Sequence, residues 1–123
     1  MRPVQLSPQA IAALPFSLDL KGARVTERSG PSGTKIYTVA KGEVPLLMIY
    51  TGPQADYPIY AGEEAVVAGR TSILVSDGGS RKAVEHLFRR DGSTPRDIHV
   101  WLLTTDGLDG MLAEQIGQTV DPR

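Results

Sequence analysis

The chain has 123 residues, thirteen Lys and Arg against fourteen Asp and Glu, a formal net charge of −1 and no cysteine. That length suits one domain over residues 1–123, able to bury roughly two thirds of its unfolded surface without staples. The balanced charge lacks the basic surface of a non-specific nucleic-acid binder, and the missing thiols exclude disulfides, thiolate metal sites and cysteine nucleophiles.

The N-terminal run from Ser7 to Pro15 predicts a short helix. Ser7 can cap its free amides, Pro8 suits the first turn, and Pro15 cannot continue it. Phe16 to Leu20 alternates apolar and polar residues, as a half-buried strand does, and Ala23 to Glu27 offers a second. After the turn cluster Arg28 to Gly33, Lys35 to Ala40 is β-branched and aromatic, so a hairpin is expected. Val44 to Tyr50 is almost wholly apolar, the mark of a central strand covered on both faces. Thr51 to Glu64 is irregular, punctuated by Gly52, Pro53, Pro58 and Gly62.

Strand character resumes at Ala65–Ala68 and Thr71–Val75, and Asp77-Gly78 suits the next turn. Two amphipathic runs, Arg81 to Arg90 and Arg96 to Thr105, read as a long hairpin around residues 91–95. Leu108, Met111, Leu112, Ile116 and Val120 recur at helical spacing and predict a terminal helix with one apolar stripe. Asp106 or Asp109 is placed to cap it, Gly117 marks fraying, and Pro122 bars extension. The expected class is α+β: a mostly antiparallel sheet of six or seven strands, a short N-terminal helix, and a C-terminal helix packed on one face.

Gly30-Pro31-Ser32-Gly33-Thr34-Lys35 has the letters of a phosphate-cradling loop, but strand residues follow it where that loop needs a helix. It reads as a hairpin turn. His86 and His99, the two histidines, lie in the long hairpin, and register decides whether they meet. A four-residue loop sets them opposite each other but pairs Arg89 with Arg96. A five-residue loop pairs Arg89 with Asp97 and collects Val84, Phe88, Ile98, Val100 and Leu102 on one face. Hydrophobic pattern sets register, so the second is expected and the histidines point apart. No metal site, cofactor or catalytic set is assigned. No Gly-x-Ser-x-Gly elbow occurs, and Glu63-Glu64 and Asp106/Asp109 fit turn and cap positions. Asp106 to Gly110 lacks the spacing of a calcium loop.

The cations of the long hairpin, with Glu85, Asp91 and Asp97 interspersed, read as a solvated surface that discourages edge pairing. Leu87, Trp101 and Leu103 form a second apolar face, to be covered by the terminal helix or by another subunit. The expected function is a non-enzymatic binding or interaction protein whose partner is another protein or a second copy, as in a homodimer. The candidate residues are Tyr50, Tyr57, Tyr60, His86, Arg89, Arg96, His99 and Trp101, with the tyrosines as loop anchors. The alternative is a small enzyme or ligand-binding domain, with a pocket between a curved sheet and the terminal helix that holds His86, Tyr50 and Arg96. No apolar run reaches the ~20 residues of a membrane helix and none follows Arg2, so neither a membrane nor a signal peptide is expected. With Met1 as natural start the cytoplasm is expected; a leader removed ahead of it would void that expectation. Nine Arg against four Lys, with no Asn, reads as GC-rich, bacterial codon usage.

Overall fold

The computed structural model describes residues 2–123, Asp77 through its backbone alone. The chain opens with β1 (Val4–Gln5), α1 (Pro8–Ala12) and β2 (Phe16–Ser17). Ser7 Oγ accepts the Ala10 N–H at 3.2 Å, as a capping residue should. β2 stops short of the expected Leu20 because its partner, β10 (Asp121–Pro122), offers two residues. Leu18 and Leu20 still pack against the core. β3 (Arg24–Ser29) and β4 (Lys35–Lys41) form a hairpin with Ser29 opposite Lys35, which fixes residues 30–34 as its turn. β5 (Val44–Gly52), β6 (Glu63–Val67), β7 (Arg70–Asp77), β8 (Ser80–Arg89), β9 (Asp97–Leu102) and α2 (Gly107–Gln118) follow. Ala68-Gly69 joins β6 to β7 with φ of 52° and 80°, the paired positive values of a tight hairpin turn.

The main sheet is antiparallel throughout, with strand order β1-β3-β4-β5-β9-β8-β7-β6, and β2 pairs β10 separately. The two-residue β1, too short to leave an alternation in the sequence, brings the count to eight. The order has one consequence for the irregular segment. β5 lies mid-sheet and β6 at the far edge, four strand spacings away, or about 19 Å. Residues 53–62 must therefore cross β9, β8 and β7 over one face of the sheet. At about 3.3 Å per extended residue they are long enough to do so.

α2 covers the opposite face, against β5, β8 and β9. Leu47, Ile49, Val84, Ile98, Val100 and Leu102 meet Ala113, Ile116 and Val120 there, and Leu14 and Phe16 extend the cover. Each fully buried side chain of this kind stabilises the fold by about 1.5–3 kcal/mol. Two expectations for α2 need correction. Leu108 and Met111 lie outside its buried face, 82% and 54% exposed, because the helix seats itself through Gly110, Ala113 and Gly117. Gly117 is buried helix, not a frayed end: its missing side chain brings the backbone close to Val100, Leu102 and His86. Asp106 occupies the N-cap position but makes no side-chain cap hydrogen bond. Among the described residues no helix is long and apolar enough to cross a membrane.

Candidate functional site

The β8–β9 hairpin adopts the five-residue loop. Arg89 pairs with Asp97, Phe88 with Ile98 and His86 with Val100, and Arg90 N–H donates to Arg96 C=O at 2.8 Å. His86 therefore lies on the helix face and His99 on the other. The Arg90–Arg96 juxtaposition is relieved because Arg90 Nη2 donates to Pro95 C=O while Arg96 turns to Asp97.

On the face away from α2, the 53–62 strap lies over β8 and β9, and three charged or titratable side chains hold it. Glu85, fully buried, accepts the Ile59 N–H at 2.8 and 2.9 Å and the Tyr60 N–H at 2.8 Å. His99 Nε2 lies 2.5 Å from the same carboxylate. Burial lowers the His99 pKa more than Glu85, Asp56 and Asp97 raise it, so a neutral ring donates its Nε2–H to the carboxylate. Asp97, also fully buried, accepts the Ala55 N–H at 2.7 Å, two N–H groups of Arg89 at 2.9 and 3.0 Å, and Arg96 Nε at 3.1 Å. Burial pushes this carboxyl up, but these donors outweigh it and hold its pKa down at about 2. A strap without regular structure has no ladder to satisfy its amides, so buried acceptors must do so.

The aromatic candidates gather on the same face. Tyr57 meets the edge of His99 at 5.7 Å and donates its hydroxyl to Glu64 at 2.9 Å. His99 stacks at a tilt on Trp101, 4.8 Å between centroids. Tyr60 donates to Leu102 C=O, and the Tyr50 hydroxyl accepts the Gln54 N–H. Tyr50, Tyr57, Tyr60, Arg89, His99 and Trp101 thus converge beneath or beside one strap. Two readings are corrected here. Glu85 and Asp97 are not part of a solvated surface, and the strap, not the terminal helix, crosses the second face, which leaves Leu103 43% exposed at its end. Glu85, which holds the strap, is not among the candidates; its signal in the sequence is a carboxylate between Val84 and His86 inside a mostly apolar run.

His86 stands apart. Its Nδ1 lies 2.7 Å from Ser72 Oγ, and its Nε2 is buried without a partner among the described residues. Burial, assisted by Arg70, pushes its pKa down to about 4, so the ring is neutral at pH 7. The helix passes over it at Gly117, where an added Cβ would lie 3.9 Å from the ring's Cδ2. A concavity of about 220 Å³ does lie between the end of α2 and β7–β8, lined by Arg70, Phe88 and Gln118 to Asp121 and not by His86, and Tyr50 lies on the strap face.

An open cavity of about 420 Å³ lies elsewhere, at the end of the helix face that α2 leaves bare. Four separated stretches build it: Pro15, the Ser32–Gly33 turn with Lys35 and Tyr37, Thr51 to Pro53, and Ser93 to Arg96. Thr51, 3% exposed, lies opposite Lys35 in the β4–β5 pair, and the Tyr37 hydroxyl bonds Glu27 and Thr51. Ser32 sits in the rim with φ of 58°, an uncommon value for a residue other than glycine. Arg96 links the two regions, donating to Asp97 while lining the cavity, and Pro53 at the start of the strap lines it too. Comparison with protein-family models, curated proteins and solved structures finds no match to this chain.

Proposed function

We propose that this protein is a non-enzymatic binding module that takes a small molecule in the cavity beside Thr51. The observation that carries this reading is the cavity's make-up: a preformed concavity of about 420 Å³, walled by three prolines and supplied with cation and hydroxyl donors. Neither histidine lines it. The acid–base pair of the molecule, Glu85 and His99, is sealed under the strap, and a general base must come within hydrogen-bond reach of its substrate. The donors in the cavity suit recognition, and a hydroxyl without an adjacent base is a weak nucleophile. A ¹H–¹⁵N correlation screen with mixtures of small molecules tests the reading. Binders should shift the amides of Ser32, Gly33, Thr51, Gly52 and Thr94. Binders that instead shift the strap or α2, or a screen without any binder, would refute it.

A second observation favours self-association. β6 is a free sheet edge without Pro or Lys, and Val66 and Val67 on it are 66% and 65% exposed. Pairing with the same edge of a second copy would satisfy its outward amides and cover both valines. Light scattering over a concentration series should then show a dimer that Val66→Lys abolishes; a monomer at every concentration would sink this reading.

A further inference from the structure

We infer that the ligand of this cavity carries an anionic headgroup, a carboxylate or phosphate, on an apolar body, with the headgroup held between Lys35 and Arg96. The inference rests on the binding reading above and adds the chemical class. Both cations line the cavity, whereas their carboxylate partners Glu27 and Asp97 do not. A ligand entering it meets positive charge first.

Neither cation is exhausted by its partner. Lys35 Nζ donates to Ser29 Oγ at 2.7 Å and sits 3.8 Å from Glu27, with its side chain 41% exposed. An ammonium has three donors. Arg96 uses Nε and Nη2 on Asp97, at 3.1 and 3.4 Å, which leaves the N–H groups of Nη1 for a ligand. Asp97 is itself fixed by Arg89 and the Ala55 amide, so the guanidinium is oriented before anything binds. Preorganisation of this kind lowers the ordering cost of binding.

The register places the two cations at a useful separation. Lys35 lies opposite Thr51, Thr51 lies opposite Ile98, and Arg96 is two residues from Ile98 on the same face. Two strand spacings, about 10 Å, therefore separate β4 from the strand that Arg96 enters. Two long side chains can close on one headgroup across that gap. The apolar remainder of the ligand has Pro15, Pro53 and Pro95 to lie against.

Titration of the full chain with benzoate, phenyl phosphate, benzamide and inorganic phosphate, followed by ¹H–¹⁵N correlation spectra, tests this. Benzoate or phenyl phosphate should saturate shifts at Gly33, Thr51 and Gly52, and the stronger of the two identifies the headgroup. Benzamide should bind at least about tenfold more weakly, since its neutral carbonyl brings no negative charge to the two cations. Lys35→Gln, a change at a half-exposed side chain whose fold the same spectra verify, should weaken the anion by a similar factor. Benzamide binding the same amides as tightly as benzoate would overturn the charge inference and leave the cavity reading standing. Inorganic phosphate matching phenyl phosphate would overturn the apolar body. Failure of every aromatic probe to move these amides at millimolar concentration would overturn the inference together with the reading beneath it.

Discussion

The two faces of the β8–β9 hairpin are covered by different means. One lies under a helix and is filled by Val84, Phe88, Ile98, Val100 and Leu102; the other lies under a strap and carries Glu85, Asp97 and His99. A helix satisfies its own backbone hydrogen bonds and asks only for apolar contact from the surface below. An irregular segment does not. Each of its inward amides needs an acceptor, and a carboxylate on a neighbouring strand is the strongest one available. The cover determines the chemistry of the face beneath it.

Removing Glu85 should break this difference most severely. Glu85→Leu leaves the Ile59 and Tyr60 amides and the His99 Nε2–H without their acceptor, and should lower stability by about 3–5 kcal/mol in urea unfolding. Hydrogen exchange should show strap amides losing protection before those of α2. Equal protection in the strap would mean that packing, not the carboxylate, holds it. On the helix face, Ile116→Ala should cost about 2–5 kcal/mol through the cavity it opens, with strap exchange unchanged relative to the global value. A selective loss of strap protection in this variant would mean the two covers are not independent.

The helix face was legible in the sequence and the strap face was not, for a physical reason. Alternation along Arg81–Arg90 and Arg96–Thr105, with the Arg89–Asp97 pair, specified the register, because a one-residue slip would invert every side chain. Nothing in that pattern says what lies above Glu85. A carboxylate in a strand reads as solvated unless something else is known to cross it, and here the crossing follows from strand order. The irregular residues 53–62 were visible, yet their path required β9 to lie between β5 and β8, a long-range pairing that local spacing does not encode. The cavity was hidden for the same reason, since Pro15, Lys35, Thr51 and Arg96 come together only through the fold. Leu108 and Met111 misled in the opposite direction: their spacing fits a helix, but glycines and alanine, invisible to a hydrophobic pattern, mark the face that packs.

Acid should sharpen the comparison between the two histidines. A His pKa lowered to about 4 in the fold means that the unfolded chain takes up the proton first, below its ordinary value near 6.5. Stability is therefore complete above pH 6.5 and falls as the pH drops toward 4, by about 3 kcal/mol in all from His86. His99 is shifted in the same direction, and Asp97 adds a further loss below about pH 4 as it approaches its own value of about 2. Urea unfolding across this range should give a shallower slope for the Ser72→Ala/His86→Leu pair than for the natural chain. An unchanged slope would assign the acid sensitivity to the strap face instead.

The smallest effect separates two glycines of α2. A Cβ on Gly117 would meet Leu102 at 3.5 Å and Val100 at 3.7 Å, ordinary contact distances, in a backbone that is already helical. Gly117→Ala should then stabilise the protein by about 0.5–1 kcal/mol, because alanine loses less backbone entropy on folding. A Cβ on Gly110 would lie 2.3 Å from the Thr105 carbonyl carbon, so Gly110→Ala must push the β9–α2 connection away and should destabilise. If thermal unfolding moved both variants in the same direction, helix propensity or packing alone would govern α2, and the close seating of this helix on the sheet would not be what its small residues provide.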